Sequence, residues 1–161
     1  MARKITPEAL AVAKSRMRYD PETGYFHNIK TGRVLGSPQG SGYWAIPIFE
    51  HGEVYAHRLA WFFVYGFSPV EIDHENRNRS DNRLCNLRNC TKLQNACNSP
   101  KRAHSKQPYK GVRLTKSGAW QARIRVNNEC INVGHFPSAR EAYEEYIFAA
   151  LKHHGEYASF E

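Results

Sequence analysis

The hydrophobic pattern changes period several times along the chain, and each change predicts an element. Thr6 followed by Pro7 opens an apolar run that reads as a short helix over about Pro7–Met17, with Thr6 as its N-cap. Gly and Pro then punctuate three strand-like runs, Tyr25–Ile29, Tyr43–Glu50 and Glu53–Ala56, with His51-Gly52 as the turn between the last two. His57–Tyr65 reads as a helix rich in aromatics, closed by Gly66 and Pro69. Val70–His74 follows as a strand. From Asn76 to Asn98 the apolar signal fades, and Asn recurs at 76, 78, 82, 86, 89, 95 and 98. Asn packs poorly in cores and strands, so this density predicts a loop pinned by side-chain hydrogen bonds. Thr91-x-x-Gln94 has the form of a capping box and predicts a helix that carries Asn95 near its start.

The last third has the clearest pattern. Three strands are expected, Tyr109–Leu114, Ala119–Val126 and Cys130–Phe136. Trp120, Ala122, Ile124 and Val126 alternate with Gln121, Arg123, Arg125 and Asn127, which makes one face apolar and the other cationic. Asn127-Asn128 is the hairpin turn. A second capping box, Ser138-x-x-Glu141, starts a final helix that ends near Gly155. Its stripe of Ala142, Tyr143, Tyr146, Ile147, Ala149 and Ala150 would cover the apolar face of the sheet.

Composition narrows the class. A chain of 161 residues, 41% hydrophobic and 12% aromatic, is globular and large enough for one domain or two small ones. Its longest apolar run stops at Gly66, far short of the ~18 residues of a membrane span. Met1-Ala2-Arg3-Lys4 leads into a polar stretch rather than an apolar signal core, and no Cys-x-x-Cys occurs. A membrane protein, a disulfide scaffold and a zinc ribbon are thereby disfavoured, and a cytoplasmic location is expected. Cys85, Cys90 and Cys97 read as buried thiols in preference to a zinc site. The net charge of +8 favours a polyanionic partner. That charge is polarised: residues 107–128 carry five Lys and Arg and no acid, whereas residues 138–161 carry two against five Glu. One face for phosphate and one for water is the expected division.

Asp73-His74 brings a carboxylate and an imidazole side by side, the pair that phosphodiester hydrolysis asks for: a base to activate water and an anchor for a cation. Strand neighbours point to opposite faces, so both serve one site only if the strand ends there and turns. Asn95, on the first turn of the following helix, is placed to return to the same point and complete a hard-oxygen cation site. Such a site suits Mg2+ or Mn2+ better than zinc.

The wider spacing, His57-Arg58-Leu59, Ile72-Asp73-His74, Asn76-x-Asn78, Asp81-Asn82-Arg83, Asn86-Leu87-Arg88 and Asn95, resembles the HNH nucleases, in particular their phage and intron-associated homing endonucleases. The resemblance covers about residues 55–98. It implies an α+β fold containing a β-β-α-metal (His-Me finger) motif and hydrolysis of double-stranded DNA. By the same resemblance His74 is the general base, and Asp73 and Asn95 hold one divalent metal ion. Asn86 pins the loop and helps to orient His74. Arg58 and Arg88 join as candidate phosphate contacts, while His57 stays open between phosphate contact and a buried structural role.

A second resemblance covers residues 108–158. Tyr109-Lys110-Gly111-Val112-Arg113, Trp120-Gln121-Ala122-Arg123-Ile124-Arg125, Gly134-His135-Phe136 and Glu141-Ala142 through Ala149-Ala150 look like the plant ethylene-response-factor (AP-two) DNA-binding domain. That implies a three-stranded antiparallel sheet packed on one helix, with Lys110, Arg113, Arg123 and Arg125 facing the major groove and Trp120 in the core. Ser117, Asn132 and Thr115 stand where the plant domains carry tryptophans or arginines, so their target site does not carry over. The expected organisation is a supporting region 1–54, a nuclease motif with basic linker 55–106 and a DNA-binding domain 107–161. A homodimer is possible, a small-molecule substrate is not expected, and the competing reading is a DNA-binding regulator with a degenerate nuclease motif.

Overall fold

The computed structural model describes residues 5–160, so Met1–Lys4, the site of the expectation about a signal segment, lie outside the described residues. By contacts the chain divides into two compact units, one up to Thr91 and one from Lys92 onward. The basic linker expected to end at residue 106 therefore lies within the second unit.

In the first unit, α1 (Pro7–Arg16) starts where Thr6 Oγ1 accepts from the Ala9 backbone N–H. A cap of this kind contributes about 1 kcal/mol. Three antiparallel pairings follow. Strand β1 (Met17–Tyr19) pairs with β2 (Phe26–Asn28), and β3 (Ser37–Pro38), β4 (Trp44–Ile48) and β5 (Gly52–Tyr55) form a three-stranded sheet in that order. Helix α2 (Ala56–Tyr65) ends on Gly66 at φ 75°, the left-handed cap expected of it. Its Leu59 and Ala60 are fully buried, together with Ala13, Phe26 and Ile46, in one apolar core. Burying a side chain the size of Leu59 or Phe26 contributes about 1.5–3 kcal/mol.

Strand β6 (Glu71–His74) pairs antiparallel with β7 (Leu87–Cys90), in the register Asp73 opposite Arg88 and His74 opposite Leu87. Before the helix expected at Thr91, the Asn-rich stretch was expected to be loop, and β7 corrects that. Only Leu87 and Cys90 of its four residues are buried, too few to show alternation, and backbone pairing with β6 overrides the low strand propensity of Asn89.

In the second unit, α3 (Lys92–Cys97) precedes a sheet of order β10-β9-β8, built from β8 (Val112–Leu114), β9 (Trp120–Val126) and β10 (Glu129–Phe136). Asn127 and Asn128 turn the β9–β10 hairpin at φ 48° and 69°, the left-handed pair that a two-residue turn needs. Helix α4 (Ala139–His154) begins at Ser138, whose Oγ accepts from the Glu141 N–H and donates to the Glu141 carboxylate. Ala142, Tyr146 and Ala150 of α4 pack with Val112, Ala122 and Ile124 in a second core, and Trp120 packs against it as expected.

Gly111 enters β8 at φ +74°, and a Cβ there would lie 2.2 Å from the Tyr146 ring. Gly111→Ala therefore meets both a disfavoured backbone and an occupied space. It is expected to destabilise the second unit by about 1–3 kcal/mol, read as a lower urea midpoint by circular dichroism. An unchanged midpoint would contradict this packing.

Candidate active site and nucleic-acid face

The strand β6 ends at His74, as joint use of Asp73 and His74 requires. The Arg77 N–H returns to the His74 carbonyl at 2.8 Å, and the Glu75 N–H bonds the Asn86 carbonyl at 2.9 Å. The loop beyond is held by side-chain amides together with the Asp81 carboxylate. Asn86 Oδ1 accepts from the Asn76 N–H at 3.0 Å, while its Nδ2 donates to the Asp81 carbonyl at 2.8 Å. Asn76 Nδ2 donates to Asp81 Oδ2, and Asn78 Oδ1 takes both the N–H and the hydroxyl of Ser80. Arg83 grips Asp81 through Nε and Nη2, which holds the carboxyl down to about pKa 2.

Asp73 and His74 are both 5% exposed. They meet different neighbours. Asp73 Oδ2 accepts from Arg88 Nε at 2.8 Å and pairs with Nη2 at 2.7 Å, a two-nitrogen grip across the β6–β7 ladder. The His74 ring lies 5.1 Å from the His57 ring and 6.0 Å from Tyr43, with its Nε2 at 3.3 Å from Asn82 Oδ1. Burial pushes the His74 pKa down, against the opposing pull of Asn82 and the carboxylates of Asp73 and Asp81. Its imidazole is thus neutral near pH 7, the form that can accept a proton.

Among the described residues Asp73 is the buried carboxylate, and no group of three or more His, Cys, Asp or Glu side chains gathers to hold a metal. This donor set does not make a closed protein cage. It does fit a hard, largely hydrated dication such as Mg2+, which takes one or two carboxylates and leaves its other positions to water and phosphate. Asn95 sits on α3, within the second unit.

His57 resolves toward the structural reading. It is buried on the first turn of α2, stacked at 5.7 Å on Tyr55 and 5.0 Å from Tyr43, and its Nδ1 has no hydrogen-bond partner. Burial, then the charges of His74 and Arg58, depress its pKa from 6.5 to about 3. The unfolded chain consequently binds a proton at His57 below pH 6.5 that the folded chain refuses until about pH 3. The stability tied to this group is whole above 6.5 and is lost as the pH falls toward 3, at up to ~1.4 kcal/mol per pH unit. Urea midpoints should therefore drop between neutral and mildly acidic buffer, less steeply for His57→Gln; identical profiles would refute the assignment.

The candidate DNA contacts separate into two groups. Arg58 Nη2 donates to Ser68 Oγ and the Pro69 carbonyl, which ties down the loop after α2. Arg88 is committed to Asp73. Lys110 precedes the left-handed Gly111 and so falls outside the strand alternation; its ammonium donates to the Cys97 and Ser99 carbonyls, joining α3 to the sheet of the same unit. Arg113, Arg123 and Arg125, by contrast, are exposed on the outer face, whose cross-strand neighbours include Gln121, Asn132 and Cys130. Arg113 Nε donates to Gln121 Oε1 at 2.7 Å and Gln121 Nε2 to Asn132 Oδ1 at 2.8 Å, so the strands are linked by a polar row. Of the cysteines expected to be buried, Cys90 is buried and Cys97 half-buried, but Cys85 is exposed on the turn before β7. Asn82, which lies against His74, was given no role by sequence reasoning. Its signal was present in the Asn density, but no period or spacing says which of seven amides reaches the imidazole.

Residues 54–97 match the family model described as HNH endonuclease. No curated protein matches the chain significantly. Among solved structures, one titled "DNA binding and cleavage by the HNH homing endonuclease I-HmuI" aligns at 22% identity over 86% of this chain and 85% of that one, with a TM-score of 0.45.

Proposed function

We propose that this protein is a divalent-metal-dependent homing-type endonuclease that hydrolyses phosphodiester bonds of double-stranded DNA, with its target read by the C-terminal sheet. The observation that carries the reading is the end of β6, where a buried carboxylate and a neutral imidazole adjoin inside the segment that matches the HNH family model. His74 accepts the proton of the attacking water. Asp73 would hold the dication, and when bound the ion would supply charge stabilisation at the phosphate; Asn95, the second ligand that the resemblance implies, belongs to the other unit. Arg88 orients the Asp73 carboxylate, and Asn86 keeps the loop folded beside the site.

The AP-two-like reading of the second unit is supported by its three antiparallel strands under one helix and by the exposed Arg113, Arg123 and Arg125. Arginines on a pleated face suit guanine edges and phosphates of the major groove. Replacing Arg125 with Ala should weaken binding to a preferred duplex by about 1–3 kcal/mol if it contacts a base edge. Unchanged affinity would remove that residue from the interface.

The deciding experiment incubates the full chain with supercoiled plasmid and Mg2+ or Mn2+, beside a chelator control. Relaxed or linear product that depends on the cation is expected. A protein that shifts labelled duplex yet never cuts with any divalent ion would instead be a DNA-binding regulator. A phage-encoded protein acting in the cytoplasm of its bacterial host is the biological setting this activity implies.

A further inference from the structure

The arginines that the sequence offers to phosphate near His74 are committed within the first unit. Arg58 is tied to Ser68 and Pro69, and Arg88 to Asp73. Arg83 gives Nε and Nη2 to Asp81. A duplex brought to this site must still be held by its backbone, because phosphate contacts set the register of a protein on DNA. Arg79 is placed for that task. It lies in the loop after β6 and is exposed. Its guanidinium carbon stands 5.0 Å from the centroid of the Tyr43 ring, and its Nη1 donates to the Ser41 carbonyl at 3.0 Å. Tyr43 in turn lies 6.0 Å from the His74 ring and 5.0 Å from His57.

Both supports of Arg79 belong to the turn between β3 and β4. That turn is closed by the Gly42 N–H on the Gln39 carbonyl and the Gln39 N–H on the Tyr43 carbonyl, each at 2.8 Å. A backbone carbonyl and an aromatic face orient the planar guanidinium without cancelling its charge. The contrast is with Arg83 of the same loop, whose charge meets the Asp81 carboxylate at 2.6 Å. An oriented, uncancelled guanidinium at an exposed position is the form that phosphate recognition uses. We propose that Arg79 is a phosphate-binding residue that grips the DNA backbone beside the scissile phosphate. Tyr43 touches both Arg79 and His74, so the guanidinium is one ring removed from the imidazole and meets a neighbouring phosphate, not the one whose bond breaks. This rests on the nuclease reading above and adds where that site holds its substrate.

The test measures binding of the full chain to a labelled duplex over a range of salt concentrations, without divalent ion. Arg79→Met keeps an apolar stem against Tyr43 and removes the charge. It should lower the slope of log affinity against log salt by about 0.9, the value of one lost phosphate contact. Arg79→Gln gives the same measurement if the methionine variant does not fold, and Arg79→Lys, which restores a charge, should return the parental slope. Once the cut is mapped, a neutral methylphosphonate at each phosphate flanking it identifies the contact. At one of these positions the parent should lose affinity and Arg79→Met should not. An arginine that only ties the loop to the turn would shift the urea midpoint and leave both readouts unmoved. A slope for Arg79→Met equal to the parent's, or equal losses by the two proteins at every flanking position, would overturn the role of Arg79 alone. A parent that never cuts with any divalent ion would overturn the nuclease reading, and with it the placing of Arg79 beside a scissile bond, whatever the slope.

Discussion

His74→Ala is expected to lower the rate of DNA cleavage by about 10²–10⁴-fold, the range for loss of a positioned general base, while leaving duplex binding nearly intact. The imidazole is buried among His57, Tyr43 and Asn82 and kept neutral by that burial, so its removal deletes a proton acceptor that bulk water replaces poorly. The cationic face of Arg113, Arg123 and Arg125 lies in the other unit, and the substitution does not touch it. Binding and cleavage should be measured on the same labelled duplex, with Mg2+ present for the second. Cleavage at the parental rate would show that another group activates the water. Loss of binding together with cleavage would show that position 74 supports the fold more than the chemistry.

Arg88→Ala should produce the second large effect, this time on stability. Arg88 and Asp73 have side-chain exposures of 14% and 6%, and the guanidinium meets one carboxylate oxygen through two nitrogens. Removing one partner of such a pair strands the other charge in a low-dielectric setting, at a cost of about 3–5 kcal/mol. The reverse experiment separates this effect from simple loss of packing. Replacing both residues, Arg88→Met with Asp73→Leu, should recover most of the stability because no charge is left stranded, yet cleavage should remain absent. Denaturant curves for the single and double variants decide the matter. A double variant as unstable as Arg88→Ala would mean that the pair contributes through shape, not charge.

The parts of the fold that the sequence made legible are those with local chemistry. Thr6 and Ser138 cap helices where their hydroxyls precede apolar runs, Gly66 ends α2, and Asn127-Asn128 turns a hairpin. The outward arginines of β9 followed from a strict period of two over seven residues. Where alternation was short or broken, reading failed. Strand β7 has two buried side chains, and β1 and β3 are three and two residues long, so none carries enough pattern to stand out. Lys110 was assigned to the groove-facing set by the AP-two resemblance, whereas the strand that presents Arg113 begins only at Val112. At the candidate site, Asp73 and His74 were named from their adjacency and Asn86 from the spacing that resembles the HNH nucleases. The partner of His74 was not, because a contact between residues 74 and 82 depends on how the loop closes.

The row formed by Arg113, Gln121 and Asn132 also bears on how this surface would receive a ligand. Side chains that are already bonded to one another have given up much of their rotational freedom before anything arrives. Ordering a loose, rotamer-rich side chain at an interface costs about 0.5–1.5 kcal/mol, and here part of that entropy has been surrendered during folding. A partner whose hydrogen-bonding groups match the fixed spacing of the row binds with little further loss, whereas one that must break the row to fit pays for each bond it disrupts. On the proposed reading of this face as the DNA reader, discrimination would come from rigidity as well as from charge.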